Sequence, residues 1–325
     1  MIITRTPFRI SFAGGGSDLR DYYSKYGGSV VSTSINKYIY LSMHPYFHEK
    51  RYFLKYSKNE LVDDVNRVEH KIIRKVFQDY AIAGVDFNSS ADVPASTGLG
   101  SSSAFTVGLT NLCNAFTSKY MSQEDMAAYA CTVEIDKLGE PIGKQDQYAC
   151  AVGGINFIRF NSDESVVVEK ILLKKEKAEE LEKNLLLFYM GSTRSASSIL
   201  SEQKQNLSEN NGKLKNLHKM VELSKVLKRE LQNNNVDSLG EILHAGWIYK
   251  RELASSITNE TIDCYYNTAI KNGAIGGKLL GAGGGGFLLL YVRRQEHERL
   301  RRALSDLSEF QFKFETIGST VIYYD

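Results

Sequence analysis

The run PASTGLGSSSA, residues 94–104, sets three hydroxyls behind two glycines. Gly98 and Gly100 free the backbone to turn successive N–H groups to one side, and a helix opening at Ser101, Ser102 and Ser103 adds the positive end of its dipole. Pro94, Gly98, Leu99, Gly100 and the three serines therefore read as a cradle for a polyphosphate. A Walker loop is excluded because no Gly-Lys-Ser/Thr follows, and Gly277-Lys278-Leu279 downstream lacks the hydroxyl. A serine-capped helix after an ordinary loop is the competing reading of the same residues.

Three other segments carry chemistry-bearing residues. In RTPFRISFAGGGSD, residues 5–18, a strand runs into three glycines and an acid. Asp18, just past Gly15 and Gly16, can accept two sugar hydroxyls, and Arg9 can face phosphate charge from the strand; a turn or helix cap is the plainer role for Asp18. In GGKLLGAGGGGF, residues 276–287, Gly281, Gly283 and Gly286 formally satisfy GxGxxG, but the apolar FLLLYV follows where a dinucleotide fold needs a helix. A tight loop against a cleft, with Gly283 and Gly284 on the substrate side, fits better, beside a turn kept only for packing. In EIDKLGEPIGKQDQYACAVGG, residues 134–154, Glu134 ends a predicted helix and Asp146 sits in a turn. The two carboxylates could serve a metal and a hydroxyl proton, or simply be solvated.

Alternation predicts strands at 10–13, 30–34, 38–43 and 51–56, then a helix over 69–83 and a strand over 86–93. Helices follow at 101–117 and 123–138, and strands at 155–160 and 166–169. A charged run at 174–183 marks a domain boundary near 170, giving domains 1–170 and 171–325. Beyond it come a strand at 185–190, a long helical region interrupted at 210–212, helices at 237–253 and 260–271, a strand at 287–293, a helix at 296–307 and two closing strands. The mixture indicates an α+β fold rather than a doubly wound sheet.

Composition narrows the partners. Forty Lys and Arg against 38 Asp and Glu leave a net charge of +2, which gives no basis for nucleic-acid binding. No apolar run approaches the ~20 residues of a membrane span, and the start carries no secretory signal pattern. The four cysteines never form a CxxC, and no histidine pair has metal-ligand spacing. A soluble protein of the reducing cytoplasm is the expectation.

The three glycine-rich segments, in this order and spacing, resemble those of the GHMP kinases, with PxxxGLGSSS the most specific motif. The resemblance implies a two-domain α+β fold, a ribosomal-protein-like N-terminal domain and a ferredoxin-like C-terminal one, with the active cleft between them. It implies ATP and Mg²⁺, held by Ser102 and Glu134, with Asp146 as base or orienter of the attacking hydroxyl, Arg9 beside it, and Asp18 as the sugar-binding acid. Galactokinases of this family carry a Glu-His pair where Gly15 and Gly16 stand here, which disfavours galactose. RTPFRISFAGGGSD, STSINKYIY, LGEPIGKQDQYACAVGGIN and GSTRSAS are similar to segments of the bacterial heptose 7-phosphate kinases and of the kinase domain of fucokinase. That likeness implies phosphorylation of the anomeric hydroxyl of a phosphorylated sugar, for surface polysaccharide, with Lys37, Lys144 and Arg194 as candidate cations for the phosphate already present. Another sugar 1-kinase is the alternative, a sugar-binding regulator a further one, and a homodimer is left open.

Overall fold

The computed structural model describes residues 1–48, 50–191, 196–209 and 211–325. Two sheets organise the chain. The first is built from β1 (Ile2–Ala13), β2 (Gly28–Pro45), β3 (Tyr52–Lys55), β4 (Asn59–Val62), β5 (Val85–Ala91), β6 (Ile155–Phe160) and β7 (Val166–Lys170). The second holds β8 (Leu185–Tyr189), β9 (Ala274–Leu279), β10 (Phe287–Val292) and β11 (Ser308–Glu309) in the order β11-β8-β10-β9, antiparallel throughout. Two last strands, β12 (Phe314–Glu315) and β13 (Thr320–Tyr324), return to the first sheet, β12 against β2 and β13 against β1. The fold is α+β.

β2 is the spine of the first sheet. Its eighteen residues run as one strand where alternation predicts two, 30–34 and 38–43. One half pairs with β6 and the other with β5, while β1 runs along nearly its whole length. The register shifts between Pro7 and Phe8, so the pleat loses its strict alternation and the pattern breaks in sequence. On the other edge of β1, β13 pairs with residues Ile2 to Arg5. A single division at residue 170 thus falls near the change of sheet, but residues 314–324 lie in the first sheet, across that division.

The helices are α1 (Arg20–Tyr26), α2 (Lys71–Tyr80), α3 (Ser101–Phe116), α4 (Gln123–Cys131), α5 (Gln145–Val152), α6 (Lys175–Lys183), α7 (Ala196–Glu209), α8 (Asn211–Gln232), α9 (Ser238–Lys250), α10 (Glu260–Lys271) and α11 (His297–Ala303). α3 is buried nearly all round because β1, β2, α4 and α5 enclose it, which explains its apolar composition without a polar face. α8 and α9 lie together, α9 packing on β9 and β10 and α8 reaching β1 and β2, so this pair bridges the two sheets. One continuous apolar core includes Phe8, Ile10, Leu99, Leu227, Leu243 and Leu289 from both halves. Among the described residues no helix is long and apolar enough to cross a membrane.

Candidate active site

Between the sheets lies a cleft with a cavity of about 1030 Å³, lined by residues from each of the four segments that carry chemistry-bearing groups. The glycine-serine loop forms one wall. Gly100 adopts a left-handed φ of 77° at the N-cap of α3, so the chain enters the helix with Ser101–Ser103 on its first turn. Gly98, with φ 86°, meets the C-terminal glycine loop directly: a Cβ there would lie 2.6 Å from the Leu280 carbonyl oxygen, and one on Gly281 would lie 2.5 Å from Gly98 Cα. Only glycine permits that approach of two backbones. Pro94, Gly98, Gly100, Ser101, Ser102 and Ser103 line the cavity, whereas the Leu99 side chain is buried in the core and contributes through its carbonyl, which accepts from the Arg9 amide at 3.1 Å.

Arg9 is the hub. From β1 its Nε and Nη2 donate to the two Asp146 carboxylate oxygens, each at 2.7 Å, and its Nη1 donates to the Gly98 carbonyl at 2.7 Å. This bidentate pair fixes Asp146 against the loop. Asp146 stands in the first turn of α5, not in a turn as its sequence suggests; Gly143 and Lys144 end the loop and the helix begins at Gln145. An acid at that position also faces the favourable end of the helix dipole.

Glu134 is fully buried. It lies in a π-helical segment, Thr132–Lys137, where the Leu138 amide donates to the Val133 carbonyl five residues back. The wider turn departs from the regular helix expected over 123–138. Ser102 Oγ donates to Glu134 Oε1 at 2.5 Å and Gln147 Nε2 to Oε2 at 2.8 Å. Burial pushes the carboxyl up to about 7, against these two hydrogen bonds.

At the other side of Arg9, Asp18 is buried in a cage of donors. Its Oδ1 accepts from the Gly16 amide (2.9 Å) and Gln145 Nε2 (3.1 Å), and its Oδ2 from the Gln145 amide (3.2 Å). Burial raises its pKa, and the nearby Asp146 charge adds to the rise. Gly15 and Gly16 line the same end. Around them Ser11 Oγ, Gln145 Oε1 and Gln203 Nε2 are buried without a hydrogen-bond partner among the described residues. Orphaned polar atoms beside a carboxylate are what a polyhydroxylated ligand would satisfy. At the opposite end, Tyr56, His70 and Phe105 form an aromatic cluster, His70 stacked on Phe105 with ring centroids 4.9 Å apart and Tyr56 edge-on to His70.

Several expected positions fall elsewhere. Lys37 is not in the cleft; its ammonium lies 4.9 Å from the Phe310 ring centroid. Lys144 turns away as well, its Nζ held by Glu164 Oε2 at 2.5 Å and lying over the Tyr23 ring, because the loop's backbone rather than this side chain faces Asp18. Gly283 and Gly284 pack on Ile257, whose carbonyl accepts from the Gly284 amide at 2.9 Å, and it is Gly281 and Ala282 that line the cavity. Arg194 lies outside the described residues. Sequence reasoning missed Lys250 and Lys278, two buried lysines lining the cleft. Lys278 sits inside the very glycine segment read for its backbone; Lys250 ends an apolar helix and carries no motif.

This arrangement, a glycine-serine loop at a helix start facing an acid held by arginine, is that of a phosphate-handling enzyme. Residues 65–154 match the family model for the GHMP kinases N terminal domain and residues 227–309 that for the GHMP kinases C terminal domain, together just over half of the chain, which belongs to the GHMP kinases. It is 29% identical over 334 residues to the D-glycero-alpha-D-manno-heptose 7-phosphate kinase of Campylobacter jejuni, covering 98% of each chain. It is 26% identical over 341 residues to a galactokinase of Thermococcus kodakarensis, covering 93% of this chain and 92% of the relative. Among solved structures, a D-glycero-D-manno-heptose 1-phosphate kinase from Bacteroides thetaiotaomicron superposes with a TM-score of 0.82 at 23% identity, covering 100% of both chains.

Proposed function

We propose that the protein is an ATP-dependent kinase that phosphorylates the anomeric hydroxyl of D-glycero-D-manno-heptose 7-phosphate to the 1,7-bisphosphate, on a route to GDP-heptose for surface polysaccharide. The observation that carries the kinase reading is the Arg9 link, one guanidinium binding both the glycine-serine loop and Asp146 at 2.7 Å. It ties the element suited to a triphosphate to the group suited to a hydroxyl. The heptose reading is supported by the likeness to the Campylobacter jejuni enzyme along nearly the whole of both chains.

In this reading the aromatic end of the cleft takes the nucleobase and the amides of the glycine-serine loop take the phosphates. Asp18, with Gln145 and Gln203 at the other end, takes sugar hydroxyls. Asp146 accepts the proton of the attacking hydroxyl and aims its oxygen in line, while the P–O bond to the leaving ADP breaks and the bond to the sugar oxygen forms. Ser102 and Glu134 offer two hard oxygen donors in a dry pocket, a set that fits Mg²⁺, which commonly takes one or two protein ligands and completes its shell with phosphate oxygens and water. When bound, Mg²⁺ would neutralise charge on the triphosphate.

A second reading has one observation in its favour. Lys37 and Lys144 lie outside the cleft, which favours an acceptor that brings no phosphate of its own. An unphosphorylated sugar 1-kinase, fucokinase-like, needs no such cations. A coupled ADP-release assay over free and phosphorylated sugars separates the two: turnover of heptose 7-phosphate well above free fucose or free heptose upholds the first, and turnover of fucose alone overturns it. In the same assay Asp146→Asn lowers kcat by about 10²–10⁴ with ATP binding nearly unchanged; wild-type turnover in that variant removes Asp146 from the mechanism.

A further inference from the structure

Lys250 and Lys278 are buried, and among the described residues neither forms an ion pair with a carboxylate. Both line the cleft. Lys250 Nζ donates to the Leu279 carbonyl at 3.0 Å and the Gly281 carbonyl at 2.5 Å, leaving one N–H of the ammonium without an acceptor among the described residues. Lys278 Nζ has a single long contact, 3.4 Å to the Phe12 carbonyl, leaving two. Burying two lysines side by side without a paired carboxylate costs stability when they are charged, because each ammonium loses its hydration and repels the other. Burial pushes Lys278 down to about 7, helped by the Arg9 charge and opposed by the Asp18 carboxylate, and pushes Lys250 well below its usual value, helped by the charges of Lys278 and Arg9.

Their place in the cleft is fixed by a chain of contacts. Gly281, whose carbonyl holds Lys250, presses on Gly98; the Gly98 carbonyl holds Arg9, and Arg9 holds Asp146. Lys278 reaches the end of the strand that carries Arg9. The lysines therefore gather around the junction of loop and acid, rather than at the aromatic end. We propose that Lys250 and Lys278, with Arg9, form a three-cation socket for the phosphoryl group in transit between ATP and the sugar oxygen. This rests on the reading of the cleft as a kinase site and adds to it the groups that take the charge of the migrating phosphoryl. A planar, triply oxygenated group leaving ADP presents acceptors on all sides, and fixed donors in a dry site stabilise it without reorganisation. Asp146 already pairs with Arg9 and Asp18 gives Lys278 part of its compensation; the anion's charge adds to this and favours the protonated form of both lysines, which burial disfavours.

The test uses Lys278→Met and Lys250→Met, with Lys250→Gln to retain one donor for the Leu279 and Gly281 carbonyls. Three readouts are taken: steady-state kinetics, calorimetric affinity for Mg²⁺·ADP with and without aluminium fluoride as a mimic of the migrating group, and thermal unfolding. In the wild-type protein aluminium fluoride tightens ADP binding at least about tenfold, and each variant loses that gain while binding ADP alone within about threefold. Each variant loses about 10²–10³ in kcat with the KM for sugar and ATP little changed. Lys278→Met unfolds no lower than the wild type, since only a long contact is lost and a buried charge removed; a purely structural lysine would instead lower it. Variants that keep wild-type kcat and the aluminium fluoride gain overturn the proposal, as does a tenfold rise in sugar KM at constant kcat, which would place the acceptor's own phosphate on the lysines. Wild-type protein that binds no ADP at all would bring down the kinase reading itself.

Discussion

Replacing Glu134 by Gln should stabilise the metal-free protein at alkaline pH while disabling it. The carboxyl is fully buried, its ordinary value is 4.5 and burial raises it to about 7. The native state therefore binds its proton more tightly than the unfolded chain does. Stability from this group is fully present below about pH 4.5, declines as pH rises towards about 7 and is absent above. A separation of about 2.5 in pKa, at about 1.4 kcal/mol each, is a cost of about 3 kcal/mol above pH 7. Glutamine avoids this cost and retains both hydrogen bonds: its oxygen accepts from Gln147 Nε2, and its amide donates to Ser102 Oγ, the reverse of the wild-type direction. Thermal unfolding in EDTA is the assay. For a chain of 325 residues 3 kcal/mol corresponds to about 4 °C, so Glu134→Gln should unfold about 4 °C higher than wild type at about pH 8, with a gap of about 1 °C at about pH 5. With Mg²⁺·ADP added the order narrows or reverses, because only the wild type offers a carboxylate to the cation. A gap that does not change with pH, or a variant less stable at pH 8, refutes the reasoning.

Other outcomes follow from individual contacts. Gly98→Ala and Gly281→Ala each place a Cβ into the facing loop at a left-handed φ, and should each destabilise by about 2–4 kcal/mol in chemical unfolding; the double variant should lose clearly less than the two together, since one separation of the loops relieves both contacts. Strict additivity would mean the loops do not touch. Lys144→Met breaks a partly exposed pair with Glu164 and a contact over Tyr23, so it should cost about 1–2 kcal/mol in stability and leave kcat/KM within about twofold. A tenfold loss of kcat/KM would return Lys144 to the site. Gln203→Leu removes a buried donor without a partner and should keep or raise Tm, while sugar KM rises about tenfold and ATP KM stays within about twofold. Equal effects on both substrates would take Gln203 away from the sugar.

The glycine-serine loop and the Arg9 to Asp18 segment were legible because they are local: glycines and hydroxyls in a short run reveal their own backbone chemistry. Their meeting was not. Gly98 and Gly281 lie 183 residues apart in sequence, and no periodicity announces that a Cβ on one would strike the other. Helices with clear apolar stripes were placed well, α2 over Lys71–Tyr80 and α10 over Glu260–Lys271 among them. α5 was hidden because Gly143 and Lys144 read as a turn, and α1 because it is only seven residues long. The placement of the cations has a physical reason. Lys37 and Lys144 stand beside motifs in the sequence, yet a lysine's long chain can reach a ring or a carboxylate outside the cleft, as both do. Lys250 and Lys278 are buried without a paired carboxylate among the described residues, and nothing in their local sequence signals that burial.

The central claim is that loop, Arg9 and Asp146 bring a nucleotide's terminal phosphate and a sugar hydroxyl together. A crystal structure with Mg²⁺, a non-hydrolysable ATP analogue and the preferred sugar tests it most directly. Phosphate oxygens are expected on the amides of residues 98–103 and one sugar hydroxyl on Asp146, its oxygen about 3–3.5 Å from the terminal phosphorus. A nucleotide seated away from that loop, or a sugar whose hydroxyls all avoid Asp146, would contradict it.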